Sequence, residues 1–446
     1  MINIKRVFFP IFLSCSVLLC GCTSDGKTFP SIPEETTYAS AFSEPAESET
    51  SVSSVEELTV ALPYSDDTIK CLSEMFYAKN NGTWNSAETG ATVAVSYLDS
   101  INTNYVVNNI GVSDEGASLD NYNTWTADGA VPDVFLASDS KAFYDKNLTM
   151  ELNDELAVSD YIDSSATEPS CLEFNSVSGV YYGIPHYSSA IILMGNNDFI
   201  PESGSLPAQY TLSDLYDYLG AIDSRYEDAV PFASAYELTP YIGSCFDTSS
   251  PSFMTYDEEC RSSDYVKSLY DAGYSSTDST AASDASNPVY TRNAALWLET
   301  SAHIGTWSEY YPSKLYLMRL PAAENTDSVS LYLQNYALCI AKDTDNPDFA
   351  AKFAEFISFD PDAVQLIYRL EDMTGFLPVI KDEDVWDIVN DNDSFGALSS
   401  GIEHLMNEAV YCPGSYDNSL FRSVNNYLSG YYGTDSDFDW EACLGN

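Results

Sequence analysis

Short apolar runs that favour strands alternate along this chain with stretches whose apolar residues recur every three or four positions. That alternation restricts the fold to the α/β class. Leu58 to Leu62 is a β-favouring run ending at Pro63, and Ile69, Leu72 and Phe76 follow at helical spacing. Pro132 to Ala137 and Ala190 to Met194 read as buried strands. Thr211 is placed to cap a helix, with Asp214 three residues on and Leu212, Leu215, Leu219 and Ile222 facing inward. The clearest helix starts at Asn346, an N-cap residue, with Pro347 in the first turn, where its missing N–H costs nothing. Phe349, Ala350, Phe353, Phe356 and Ile357 form its stripe. Asp360-Pro361 restarts the pattern with Ala363, Val364, Ile367 and Tyr368. A length of 446 residues allows two domains with a sizeable core each, and no internal repeat is visible.

The N-terminus reads as an export signal. Lys5 and Arg6 precede an apolar run from Val7 to Leu19, shorter than the roughly 20 residues that span a bilayer. The run ends in Leu19-Cys20-Gly21-Cys22, which resembles a bacterial lipobox. That resemblance implies a signal peptide over residues 1–21 and a diacylglycerol on the Cys22 thiol. The acyl chains would anchor the protein by burying methylenes at about 0.8 kcal/mol each. Residues 22–55, including Thr28-Phe29-Pro30-Ser31-Ile32-Pro33-Glu34-Glu35, hold little that builds a core and read as a tether. An exported location permits disulfides. Of ten cysteines, Cys15, Cys20 and Cys22 belong to the signal region, which leaves an odd seven. Cys245–Cys260 and Cys412–Cys443 are the pairings open to them, with buried free thiols as the alternative.

Eighteen Lys and Arg stand against 68 Asp and Glu, a net charge of −50. Such a surface repels phosphate backbones and anionic headgroups, which excludes nucleic acid and leaves lipid, not charge, to hold a membrane. The 33 tyrosines and 6 tryptophans suit a polar, uncharged ligand. There is no CxxC, no Cys/His cluster at metal spacing, no G-x-S-x-G, no H-E-x-x-H and no P-loop. No metal, cofactor or catalytic residue is therefore expected. Asp391-x-Asp393-x-x-Gly396 and Asp435-x-Asp437-x-Asp439 echo calcium loops but lack the acids or glycine these need.

Six segments, in order, carry a family resemblance: Glu57 to Leu62; Val131-Pro132-Asp133-Val134-Phe135; Gly179 to Tyr187, which has the form G-x-x-Y-G-[IVL]-P; Asn293-Ala294-Ala295-Leu296-Trp297-Leu298; Asn346-Pro347 to Ile357; and Gly375-Phe376-Leu377-Pro378. Together they resemble the extracellular solute-binding proteins of ABC importers, the family of maltose-binding protein, over roughly residues 56 to 400. The Gly-x-Trp that often follows the fourth segment is absent, because Glu299-Thr300-Ser301-Ala302 stands there.

The resemblance implies a two-lobed, periplasmic-binding-protein-like clamshell of type II, its lobes joined by crossing hinge segments. The expected lobes are 56–186 with 317–370 and 187–316 with 371–446, with crossings near Tyr182 to Ser189 and Leu315 to Ala323. Closure on a ligand, followed by delivery to the permease subunits, requires no chemistry. A lipid-anchored monomer on the outer face of the cell membrane, binding a mono- or oligosaccharide, is the leading expectation. The same scaffold carrying a cationic solute, peptide or polyamine is one alternative. A surface lipoprotein enzyme acting on polysaccharide is another.

Ligand contacts in an α/β sheet lie beyond strand C-termini. Tyr64, Ser65 and Asp66 follow the first strand, and Ser138 and Asp139 follow the Pro-Asp-Val strand. His186, Tyr187 and Ser189 lie on the crossover that should floor the cleft. Glu299 and Ser301 follow the Ala-Ala-Leu strand, and Trp307 offers an indole for stacking, with Phe376 and Tyr236 as further rings. For each, an ordinary loop or core role is the alternative.

Overall fold

The computed structural model describes residues 56–80, 82, 84, 105–159, 161–162, 167, 169–242, 262–276, 287–322, 331–406, 409–412, 419–432 and 439. Cys22 and the tether, Cys245, Cys260, Cys443 and the Asp435–Asp439 motif's first two acids lie outside them.

The strands in chain order are β1 (Glu56–Ala61), β2 (Tyr105–Asn109), β3 (Val134–Ala137), β4 (Ser176–Val177), β5 (Val180–Tyr181), β6 (Ile184–Asn196), β7 (Val230–Ala233), β8 (Ser275–Ser276), β9 (Ala294–Thr300), β10 (Leu315–Met318), β11 (Tyr332–Ile340), β12 (Phe376–Pro378) and β13 (Val410–Cys412). Apart from the hairpin β4–β5, they form one sheet in the order β2-β1-β3-β11-β6-β9-β7-β8. β10 and β12 also pair with β6, and β13 with β11. On one side β1 runs parallel to β2 and β3, and on the other β7 runs parallel to β8 and β9.

β6 is shared between the two sides, and all of it is buried. Ile184 to Ala190 pair with β11, and Ile191 to Gly195 pair with β9. A strand buried on both faces reads as a continuous apolar run, which is why Ala190 to Met194 stand out in the sequence. Against β11 the register slips: Tyr187 faces Tyr336 and Pro185 faces Ala337, which leaves His186 as the extra residue of a bulge. Pro185 has no N–H for the ladder, so the break falls beside it, and the bulge re-aims His186. β12 and β13 come from the stretch assigned by resemblance to the C-terminal lobe. β12 pairs with Tyr187 to Ser189 of the same expected lobe, whereas β13 pairs with β11 of the other.

The expected helices form, with one change at a cap. Helix Asp66–Asn80 buries Ile69, Leu72 and Phe76. The Phe76 ring lies 5.6 Å from Phe353 and 5.2 Å from Phe356 of helix Pro347–Phe359. Thr211 and Asp214 close a capping box on helix Leu212–Arg225, with N···O distances of 2.8 and 3.2 Å. Asn346 does not cap its helix: its Nδ2 donates to Glu57 O at 3.2 Å and ties the helix start to β1. Asp360 does cap the following helix, Pro361–Leu370, by accepting from Asp362 N and Ala363 N. Cys412 is a buried free thiol whose S–H donates to Leu333 O at 3.4 Å, so the Cys412–Cys443 pairing is not made. Among the described residues no helix is long and apolar enough to cross a membrane.

Candidate functional site

Loops leave the C-terminal ends of the parallel strands on both sides of β6, where an α/β sheet collects its ligand contacts. On the β1–β3 side, Asn109 stitches two of these loops together. Its Oδ1 accepts from Leu62 N at 3.0 Å, and its Nδ2 donates to Tyr64 O at 2.9 Å. The loop after β2 then folds over the end of β3. A Cβ on Gly116 (φ +82°) would lie 3.0 Å from Ala137 Cα and Ser138 N, so only glycine allows this approach. Ala117 N donates to Leu136 O at 2.7 Å, and Asp114 and Glu115 are thereby held over the strand ends.

On the β7–β9 side, Glu299 closes β9 with three bonds. Its Oε1 accepts from Thr300 N at 2.9 Å and faces His303 Nδ1 at 2.8 Å, while its Oε2 accepts from Trp307 Nε1 at 2.7 Å. His303 Nε2 lies 3.0 Å from Glu115 Oε1. Each ring nitrogen thus faces a carboxylate oxygen and must carry a proton, so the ring is an imidazolium. Burial alone would lower His303, but hydrogen bonds to Glu115 and Glu299 and their charges outweigh it and push the ring up to about 10. The bond from His303 in turn lowers Glu115, against the opposing effect of burial. Beyond the end of β7, burial first and the Glu299 charge second push Glu237 up to about 8. Glu115, His303, Glu299 and Trp307 therefore form one chain that joins loops carried by strands on either side of β6.

The residues singled out in the sequence divide by burial. Ser65 and Asp66 are exposed. Ser65 N and Oγ donate to Glu371 Oε1 at 2.9 and 2.7 Å, and Asp66 opens its helix. Ser138 is buried, and Asp139 caps helix Ser140–Asp145 through Ala142 N at 3.1 Å. Glu299 joins the chain above with a side chain 9% exposed.

The crossover residues show no open face in this structure. His186 is buried between the Tyr64 hydroxyl on Nε2 and Ser358 Oγ, 3.0 Å from Nδ1. Tyr187 packs on Tyr336 and Phe376 and donates to Asp114 O at 3.0 Å. Ser189 Oγ and Thr300 Oγ1 share a hydrogen bond of 2.6 Å. Ser301 Oγ accepts from Ala190 N at 2.8 Å and donates to Gly375 O. A Cβ on Gly375 (φ +88°) would lie 1.8 Å from Ser301 O, so the turn before β12 touches the end of β9 directly. These side chains pin the crossover from beneath. Trp307 is likewise packed among Tyr290, Trp297, Tyr310 and Tyr311 rather than presenting a face, and Tyr290 and Tyr310 are the half-buried rings of that cluster. Phe376 and Tyr236 are buried.

Asp114, Glu115, Glu237 and His303 were not picked from the sequence. His303 carried a signal, because it stands four residues after Glu299, the spacing of neighbours on a helical turn. Glu115 carried none, because β2, which delivers its loop, lacks a distinguishing run. The assembled groups accept hydrogen bonds from hydroxyls or amines and hold charge in fixed places.

Comparison with known proteins fits this architecture. The profile of the family described as "Bacterial extracellular solute-binding protein" matches residues 74–363. The fold is similar to an ABC substrate-binding protein from Listeria monocytogenes solved with cycloalternan (TM-score 0.62, 14% identity, 85% of this chain and 94% of that one). It is also similar to the cyclic α-maltosyl-1,6-maltose binding protein of Arthrobacter globiformis (0.62, 14%, 87% and 97%). A third similar structure is an extracellular solute-binding protein from Staphylococcus aureus in complex with maltose (0.55, 13%, 85% and 93%). No curated protein sequence matches the chain. The fold is thus the two-lobed clamshell of these proteins.

Proposed function

The chain belongs to the bacterial extracellular solute-binding proteins, and on that premise we propose that it captures a mono- or oligosaccharide between its lobes and hands it, unaltered, to the permease of an ABC importer. In this reading the lobes, 56–186 with 317–370 and 187–316 with 371–446, close about β6. Cys22 carries the lipid that holds a monomer on the outer face of the cell membrane, and the tether gives the body reach.

The observation that carries the reading is the chain from Glu115 through His303 and Glu299 to Trp307, set where the strand ends of both sides converge. Carboxylate oxygens there suit sugar hydroxyls, and the half-buried Tyr290 beside Trp307 is a ring on which an apolar sugar face could pack. The similar structures solved with maltose or cyclic oligosaccharides support the same ligand class. A thermal-shift series on the purified protein tests it. Maltose, maltotriose or a cyclic glucan should raise Tm, since a ligand that binds only the native state stabilises it. The sugar should also be recovered intact by chromatography. No shift with any carbohydrate would sink the reading, and cleaved glycan would replace it with the enzyme alternative.

One observation favours a second reading, a cationic solute such as a polyamine. Glu115 and Glu299 set two carboxylates on a single imidazolium, and Glu237 lies close enough to Glu299 to feel its charge. A Tm raised by spermidine and not by sugars would establish it.

A further inference from the structure

We propose that the outer edge of β10 takes up an extended, acid-bearing segment of another protein as an added strand. The groove that would hold it shares no residue with the chain from Glu115 to Trp307, so the inference holds whichever solute the protein captures.

The groove, of about 300 Å³, lies between β10, the loop before helix Leu212–Arg225 and helix Gly396–Glu403. All five residues from Leu315 to Arg319 line it. Successive side chains of a strand point to opposite faces, so five in a row line one groove only along the strand's edge. Register fixes which backbone groups face outward. β10 runs antiparallel to β6, with Tyr316 opposite Gly195 and Leu317 opposite Met194. Asn197 N donates to Lys314 O at 2.7 Å, so Lys314, Tyr316 and Met318 are the residues that bond to β6. The N–H and C=O groups of Leu315 and Leu317 point the other way, into the groove. Among the described residues no hydrogen bond reaches them.

The chain covers the rest of this edge itself. The Tyr210 hydroxyl donates to Arg319 O, and Tyr210 O accepts from Ala322 N at 2.8 Å. Arg319 Nη2 donates to Ala208 O at 3.0 Å, and Leu206 to Ala208 line the groove without pairing to β10. From the helix, Ala397 and Gly401 face it one turn apart, and a Cβ on Gly401 would meet nothing within 4 Å. Small residues there leave the edge room for a neighbour.

Charge selects the occupant. The chain has 68 Asp and Glu, yet none lines the groove, and Arg319 is the one charged residue that does. A second copy, itself at −50, would be repelled. Leu315, Leu317 and Arg319 share one face of the strand. An antiparallel segment with a carboxylate beside Arg319 and apolar side chains beside Leu317 and Leu315 matches that face and bonds to the open backbone groups.

Isothermal titration of the full chain with the capped peptide Asp-Thr-Val-Thr-Val tests the proposal. The peptide should bind, and N-methylation of its central valine, which removes the donor to Leu317 O, should abolish binding without any change to the protein. Gly401→Phe should also abolish it by filling the groove, with far-UV circular dichroism unchanged. Arg319→Gln should weaken it about fivefold, the upper range of a surface ion pair. Absence of binding would overturn the proposal, as would binding that survives both the N-methyl group and Gly401→Phe. Octanoate binding that Gly401→Phe abolishes, with no binding of the peptide, would make this a small-acid site instead. A dimer in sedimentation that Gly401→Phe dissociates would make a second copy the occupant and overturn the proposal as well.

Discussion

His186, on the bulge of β6, and His303, just beyond β9, carry the same ring into opposite charge states. His186 is buried and meets two hydroxyls, those of Tyr64 and Ser358, and burial pushes it down to about 3. His303 is also largely covered, but its neighbours are carboxylates, and it is pushed up to about 10. Burial acts in the same direction on both. The partners decide: a hydroxyl can serve a neutral imidazole as donor or acceptor, whereas a carboxylate on each nitrogen is satisfied only by the cation. One ring therefore serves as a core side chain at the crossover. The other serves as the charged link between the loop after β2 and the end of β9.

The largest expected effect breaks the core side of that contrast. His186→Ala removes a buried ring and leaves the Tyr64 and Ser358 hydroxyls without it. Urea unfolding should show a loss of about 3 kcal/mol. A loss under about 1 kcal/mol would mean the ring is not a packed core element.

Stability against pH sharpens the contrast further, because the two signs differ. His186 has a folded pKa of about 3, below the unfolded value of roughly 6.5. Its contribution is present above pH 6.5 and is lost as pH falls towards 3. His303 has a folded pKa of about 10, above the unfolded value. Its contribution is complete below pH 6.5 and is lost as pH rises towards 10. Each slope should approach, and not exceed, about 1.4 kcal/mol per pH unit. Unfolding of wild type, His186→Gln and His303→Gln between pH 4.5 and 9 separates them. The first variant should flatten the acid limb and the second the alkaline limb. Persistence of the alkaline fall in His303→Gln would show that His303 is not the charged group.

Glu299→Gln tests the partner rule directly. Imidazole nitrogen NMR at pH 7 should show wild-type His303 doubly protonated and His186 neutral. In the variant, His303 should titrate at lower pH while His186 stays unmoved. The smallest effect lies at the exposed edge of the site. Ser65→Ala removes one bond to Glu371 and a turn at the helix start, worth about 0.5–1 kcal/mol in chemical unfolding.

Much of the fold was legible because it is written in local patterns. Phe349, Phe353 and Phe356 share a face of one helix whatever that helix packs against. Thr211 and Asp214 sit three residues apart and satisfy each other without outside help. The site was legible only in part. Glu299 and Trp307 were singled out because they follow a recognisable strand, and their side chains bond to each other. His186, Tyr187 and Ser189 were placed on the crossover and Ser301 after the Ala-Ala-Leu strand, but which way each side chain turns depends on pairing. His186 turns inward because the register slips by one residue beside Pro185. Asn346 has the right identity for a cap, and the nearby Glu57 carbonyl claims its amide instead.

By itself the sequence determined the α/β class, the helix stripes, the Thr211 capping box and the long apolar run that became β6, since each follows from spacing along a single segment. Tertiary structure alone decided that β6 changes partner after Ala190, that Gly375 lies against Ser301, and that Glu115 meets His303 across 188 positions. The physical reason is range. Periodicity and capping act over one or two turns of chain, whereas the charge state of a histidine is set by whichever groups the fold brings within about 3 Å of its ring.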